Sequence, residues 1–203
     1  MTKINQKTKE KILAAAEVVF HENGLKGART TLIAKKAGVS RTMLHYYYRT
    51  KEELFQEVLQ QSFGFFLQHA QGLFTGEREL KPLIDQLIDL LYEVLTAKPG
   101  LASFMVNILN DTPELITGLP MIQEENLPAR LDELLDRARH EGQITTELTG
   151  EDLLINIYGL CVIPYLTAPL IKFKENRSDP EMQTFLQKRK DMIKAFVWNG
   201  MQS

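Results

Sequence analysis

The chain has 203 residues, 44% hydrophobic and 25% charged, with 12 Gly, 8 Pro and a single Cys. This is the composition of an ordinary soluble globular protein; it excludes disorder, a collagen repeat and a disulfide scaffold, and at this length a core forms without a covalent staple. The net charge of −2 hides an uneven spread: residues 1–60 carry 11 Lys/Arg against 6 Asp/Glu, a balance of +5, and residues 61–203 carry 13 against 20, a balance of −7. A basic head on an acidic body points to a polyanion-binding segment carried by a part that does not touch the polyanion. Cys161 has no internal partner, which suits a reducing compartment. The apolar run ILAAAEVVF behind the basic start is short and broken by Glu17, a poor signal-peptide core, so a cytoplasmic location is expected.

Ile12, Ala15, Ala16, Val19 and Phe20 fall at i, i+3, i+4, i+7 and i+8, predicting an amphipathic helix from near Thr8 to Gly24. A left-handed Gly24 would let Leu25 fold back on Phe20. Thr30 is the expected cap of a second helix over 31–37, and Gly38 its stop. Only Gly38-Val39-Ser40 separates that helix from a third over 41–48, for which Ser40 is the natural N-cap. Two helices joined so tightly cross steeply. They need a small residue at the crossing, a glycine in the turn and apolar residues between them, and Ala34, Gly38, Val39 and Leu44 supply these. The pattern is a helix-turn-helix.

Projected at 100° per residue, the third helix puts Leu44, Tyr47 and Tyr48 on one side and Thr42, His45 and Tyr46 on the other, with Arg41 between them at its start. Tyr48 is read as a packing residue and Tyr46 as an outward one. The outer face carries donors that reach base edges or phosphates and a ring suited to a thymine methyl or the sugar backbone. Thr50-x-x-Glu53 fits a capping box that launches a fourth helix through Leu54, Phe55, Val58 and Leu59. Lys51 falls in its first turn, where the backbone N–H groups and the ammonium together make a phosphate clamp.

These residues, from about Lys9 to Leu59 and above all TTLIAKKAGVSRTMLHYYYRTKEELF, resemble the tetracycline-repressor (TetR) family of bacterial transcription regulators. The resemblance implies a helix-turn-helix over 30–49 and a homodimer that sets two recognition helices in successive major grooves of a palindromic operator. Carried over by position, it implies that Thr30, Thr31, Tyr47 and Lys51 hold phosphates and that Arg41, Thr42 and Tyr46 face the bases. His45 stands where the family usually has Tyr, and Tyr48 where it usually has Phe, two departures from the family's pattern of backbone contacts; His45 stays among the candidate DNA-binding residues. Met43 stands where a small or hydroxyl residue is common. The division expected is a DNA-binding head over residues 1–50 and a helical effector-binding and dimerisation body over residues 51–203.

In the body, Leu83, Ile84, Leu87, Ile88, Leu91 and Val94 recur at helical spacing between Leu80 and Leu95, ahead of Pro99-Gly100. Thr112-Pro113-Glu114 reads as a capped helix start, and Thr149-x-x-Asp152 and Ser178-x-x-Glu181 as capping boxes. With no strand alternation and no Gly-rich phosphate loop, the fold class is all-α. Residues 153–171 hold no charge, near the lower limit of a membrane span. Asn156, Gly159, Thr167, Pro164 and Pro169 make a poor lipid-facing surface, so a buried helix is expected instead. A second copy is a good partner for it, together with the closing helix bearing Phe185, Ile193, Phe196 and Val197, as the resemblance also implies.

Phe65, Phe66, Tyr92, Phe104, Met105, Tyr158 and Cys161 are candidates for an apolar effector cavity, with Asn107 and Asn156 as polar anchors; that such a region binds a small apolar or amphipathic effector is an implication of the resemblance. The histidines His21, His45, His69 and His140 lack metal-ligand spacing, and no Ser or Cys lies in a nucleophile motif. Neither catalysis nor a cofactor is expected. The leading reading is a repressor released by a small ligand; a dimeric small-molecule-binding protein that never engages DNA is the alternative.

Overall fold

A computed structural model describes residues 3–74, 78–117 and 126–202, and every regular element among them is helical. In chain order these are α1 (Lys3–Gly27), α2 (Thr30–Ala37), α3 (Arg41–Tyr47), α4 (Lys51–Leu73), α5 (Leu80–Ala97), α6 (Gly100–Asp111), α7 (Glu114–Thr117), α8 (Leu127–His140), α9 (Gly150–Leu166), α10 (Ala168–Glu175) and α11 (Asp179–Met201). The chain forms two compact units, Met1–Phe65 with Ser103–Gln123, and Phe66–Ala102 with Glu124–Ser203.

In the first unit the apolar stripe of α1 is sealed inside, with Ile12, Ala16, Val19 and Phe20 fully buried. Gly24 ends the first regular stretch of α1 as expected, but its φ of 64° and ψ of −178° are not left-handed helical, and a short second stretch follows in which the Ala28 N–H donates to the Gly24 carbonyl at 3.3 Å. Thr30 is likewise the first residue of α2 and not its cap. Arg29 is extended, and its carbonyl accepts from Leu32 and Ile33 at 3.0 and 3.2 Å, so the helix closes one residue earlier than a hydroxyl cap requires. Gly38 takes the left-handed conformation (φ 67°, ψ 31°), with its N–H on the Lys35 carbonyl and that of Val39 on the Ala34 carbonyl. This is the backbone turn the steep crossing needs. Ser40 caps α3, its hydroxyl oxygen accepting from the Met43 N–H at 3.0 Å.

The compact unit runs past residue 50 because α4 closes its core. Leu54, Phe55, Val58 and Leu59 are buried, and Phe55 meets Phe20 edge-on at 4.8 Å. Phe104 of α6 completes the cluster, 5.5 Å from Phe55, 6.2 Å from Phe63 and 4.4 Å from the His21 ring.

In the second unit α5 buries Leu83, Ile84, Leu87 and Ile88 against α8, α9 and α11. Both expected capping boxes place their carboxylates as the spacing predicts. Asp152 accepts from the Thr149 N–H and hydroxyl at 3.2 and 2.7 Å, while the Asp152 N–H donates to the Thr149 oxygen at 3.1 Å. Glu181 accepts from the Ser178 N–H and hydroxyl at 2.8 and 2.7 Å. The uncharged run over 153–171 is not one helix. It breaks at Thr167 with a bend of 54°, because Pro169 opens α10 and has no N–H to continue the ladder of α9. Nor is it buried on all sides: Leu153, Ile157 and Cys161 face inward, whereas Ile155 and Ile163 are 61% and 54% exposed. No single helix among the described residues is long and apolar enough to cross a membrane.

Candidate nucleic-acid interface

The recognition surface follows from which face of α3 the core takes. Leu44 and Tyr48 are 4% and 3% exposed and anchor the helix, whereas Arg41, Thr42, His45 and Tyr46 are exposed, Tyr46 at 75%. Tyr48 is held under Lys9, whose ammonium lies 5.9 Å from its ring centre and pairs with Glu57 at 2.7 Å. Burial, with Glu57 and Glu53 nearby, pushes the Tyr48 phenol well above its ordinary range, so it stays neutral as a core side chain. Tyr47 is half-buried, its ring edge-on to Tyr46 at 5.5 Å.

The starts of α2, α3 and α4 enclose an open groove of about 940 Å³, lined by Thr30, Arg41, Thr42, His45, Tyr46 and Lys51, and also by Arg49 and Thr50. Three cations line it and no carboxylate does. Arg49 and Thr50 were missed as surface residues. Their signal was available, since a basic residue between the third helix and Lys51 cannot leave the same basic edge. Glu53 is drawn away from the groove by the Arg49 N–H at 3.0 Å, while its own N–H donates to the Thr50 hydroxyl at 3.1 Å. The cap at α4 therefore reaches one residue further back than the spacing alone indicates.

Lys51 does more than the clamp reading foresaw. Its ammonium donates to the Ala28 carbonyl at 3.3 Å, tying the α1–α2 connection to the start of α4. Two N–H donors of the ammonium remain for a phosphate. Thr31 is exposed on α2 but is not among the residues lining the groove.

The candidate effector residues are divided between the two units. Met105 and Asn107 are half-buried on the part of α6 that belongs to the first unit, as does Phe104 in its aromatic cluster. Phe66, Tyr92, Tyr158 and Cys161 belong to the second. There Phe66 and Tyr158 meet edge-on at 6.3 Å and Tyr92 meets Tyr165 at 5.6 Å, while Cys161 is fully buried. Burial pushes the Cys161 thiol and the Tyr158 phenol each up to about 12, and raises Tyr92 as well. Asn156, expected as an anchor, is exposed, because its azimuth on α9 lies opposite that of Leu154 and Cys161. The side chain of Phe65 lies outside the described residues. Tyr165, which the sequence reading passed over, joins the cluster one turn beyond Cys161, its hydroxyl 2.7 Å from that of Thr96.

A family model described as "Bacterial regulatory proteins, tetR family" matches residues 12–58, the stretch that builds this surface. The HTH-type transcriptional regulator RutR of Escherichia coli K12 is 33% identical over 130 residues, 62% of this chain. The repressor NicS of Pseudomonas putida is 27% identical over 123 residues, 61% of this chain. The chain covers 57% and 56% of the lengths of these two relatives. Among solved structures, the transcriptional regulator FadR of Bacillus subtilis, in complex with stearoyl-CoA, superposes with a TM-score of 0.62 at 20% identity, over 91% of this chain and 96% of that one. The fatty acid degradation regulator FadR of Bacillus halodurans gives 0.59 at 20% identity, over 92% and 94%. The head, built as a cationic helix-turn-helix, is thus similar to the tetR family of bacterial regulatory proteins, and the chain shares the fold of these FadR structures along most of its length.

Proposed function

We propose that the protein is a sequence-specific, DNA-binding transcriptional regulator that acts in the cytoplasm as a homodimer and represses until a small molecule binds its helical body. The observation that carries this reading is the division of α3, with Leu44 and Tyr48 in the core and Arg41, Thr42 and Tyr46 presented outward beside a groove lined by three cations. In this reading Arg41 and Thr42 hydrogen-bond base edges and Tyr46 contacts a thymine methyl or sugar. Thr30, Lys51 and Arg49 in the groove, with the exposed Thr31 and half-buried Tyr47 beside it, hold the flanking phosphates in the same reading. Two heads in a symmetric pair read half-sites about 34–36 Å apart, and an effector releases the operator by favouring a dimer in which that spacing is lost.

Selection of bound fragments from random duplex DNA by the purified protein tests the reading. The expected product is a palindrome with half-sites about one helical turn apart. Failure to enrich any sequence at low ionic strength, with the protein folded and dimeric, would favour a small-molecule-binding dimer that leaves DNA alone.

A further inference from the structure

Arg189 occupies a core-facing position of α11. Met182, Ile193 and Val197 lie seven residues before it and four and eight after it, and all three are buried, so a cation stands in an otherwise apolar stripe. The register of α11 on α5 is fixed by Asp89, which pairs with Lys190 at 2.9 Å and Lys194 at 2.7 Å. Lys81, two turns earlier on α5, lies 5.8 Å from the centre of the Trp198 ring. The two helices therefore run antiparallel, and one turn beyond Asp89 the residue that comes abreast of Arg189 is Tyr92. From α9 the same place receives Cys161 and Tyr165.

Tyr92 is 3% exposed, and its hydroxyl has no hydrogen-bond partner among the described residues. A buried donor in that condition costs stability until an acceptor reaches it. The neighbouring hydroxyls are occupied, since those of Thr96 and Tyr165 bond each other. Arg189 makes no ion pair and no hydrogen bond among the described residues, although its charge reaches both Tyr92 and Cys161. Because burial keeps the thiol and the phenols neutral, the cluster supplies no anion of its own.

We propose that this cluster takes the carboxylate of a small organic acid, with the Arg189 guanidinium and the Tyr92 hydroxyl donating to its oxygens and the rings of Tyr158 and Tyr165 against its apolar part. A planar guanidinium matches a carboxylate in geometry as well as in charge. The inference rests on the reading of the body as effector-binding and gives that effector its chemical class.

Calorimetry on the full chain without DNA tests it, using phenylacetate and octanoate, each beside its own amide. At least one acid is expected to bind ten-fold or more tightly than its amide, and Arg189→Gln to remove that preference while leaving amide binding unchanged. Should Arg189→Gln fail to fold, Tyr92→Phe decides: it is expected to weaken the acid several-fold without lowering Tm, because the hydroxyl it removes is unpartnered. The proposal is overturned if neither acid binds, if acid and amide bind equally, or if Arg189→Gln loosens only the dimer and leaves acid binding intact. Gel shifts separate the two readings. A neutral compound that releases DNA independently of Arg189 sinks this inference and spares the regulator, whereas Arg189-dependent acid binding by a protein that ignores DNA does the reverse.

Discussion

Tyr46 and Tyr48 are two residues apart and about 160° apart around α3, which is why one is 75% exposed and the other 3%. The azimuth alone separates the exposed ring from the buried anchor. The Tyr48 hydroxyl is buried and meets no partner with hydrogen-bond geometry among the described residues, so Tyr48→Phe removes an unsatisfied polar atom. Urea unfolding is expected to find that variant unchanged or up to about 1 kcal/mol more stable, and Tyr48→Ala destabilised by roughly 3–5 kcal/mol. A Tyr48→Phe variant that unfolds much earlier would mean the hydroxyl is bonded after all. Under the proposed reading, Arg41 and Lys51 would divide the DNA contact by chemistry. Lys51→Ala is expected to weaken binding to every sequence alike and to reduce the salt slope by about 1 per head, whereas Arg41→Ala costs about 1–3 kcal/mol and relaxes preference at one base position. Affinities for a cognate and a scrambled duplex, each over a salt series, check both. The tie from Lys51 to the Ala28 carbonyl was not readable from spacing, because it joins segments 23 residues apart.

Among the elements, local signals were read well wherever backbone chemistry alone sets the outcome. Gly38, Ser40, Thr149 with Asp152, and the Glu181 carboxylate on Ser178 all stand where their types require. The misses came where the chain's neighbours decide: Thr30 lost its cap to Arg29, and residues 153–171 broke at Thr167 once Pro169 reached the ladder. Gly38→Ala is expected to cost about 1–2 kcal/mol from the left-handed backbone alone, since nothing lies within 4 Å of the added methyl. Gly150→Ala should cost about 3 kcal/mol or more in the same unfolding assay, because its Cβ would sit 2.1 Å from the Pro128 carbonyl oxygen and 2.9 Å from the Leu131 Cβ. Equal losses at the two glycines would contradict the packing of α9 on α8. The capping carboxylates add a pH dependence. Hydrogen bonds from the Thr149 side chain and backbone hold Asp152 below its ordinary 3.8, and those from Ser178 hold Glu181 below 4.5. Their contribution is therefore present above these values and lost as pH falls through the lower folded-state values. Tm measured from about pH 5 downward is expected to fall less steeply for Asp152→Asn with Glu181→Gln than for the parent, which is the more stable at pH 7.

At the scale of the whole molecule, most of the large apolar side chains left more than half exposed among the described residues lie on the last three helices, the others being Tyr46 of α3 and Leu109 of α6. Ile155 and Ile163 on α9, Leu170 and Phe173 on α10, and Met192 and Phe196 on α11 are each more than half exposed, Phe173 at 85%. Soluble proteins seldom leave that much large apolar surface uncovered without a partner for it, and a second copy, meeting the same helices about a two-fold axis, would bury every one of them twice. Of the four residues the sequence reading assigned to the mating face of the closing helix, Ile193 and Val197 instead belong to this chain's own core. A period of 3.6 cannot tell one apolar partner from another. Phe196 is 68% exposed, so Phe196→Asp removes little from the fold and is expected to leave stability within about 0.5 kcal/mol. In a symmetric pair, however, it places two carboxylates in one apolar interface. Light scattering at micromolar concentration should then find a monomer, and the loss of two-headed binding should lower affinity for a palindromic duplex by about 10²-fold or more, with little change for a single half-site. A Phe196→Asp protein that stays dimeric and keeps its affinity would place the partner surface elsewhere on the body.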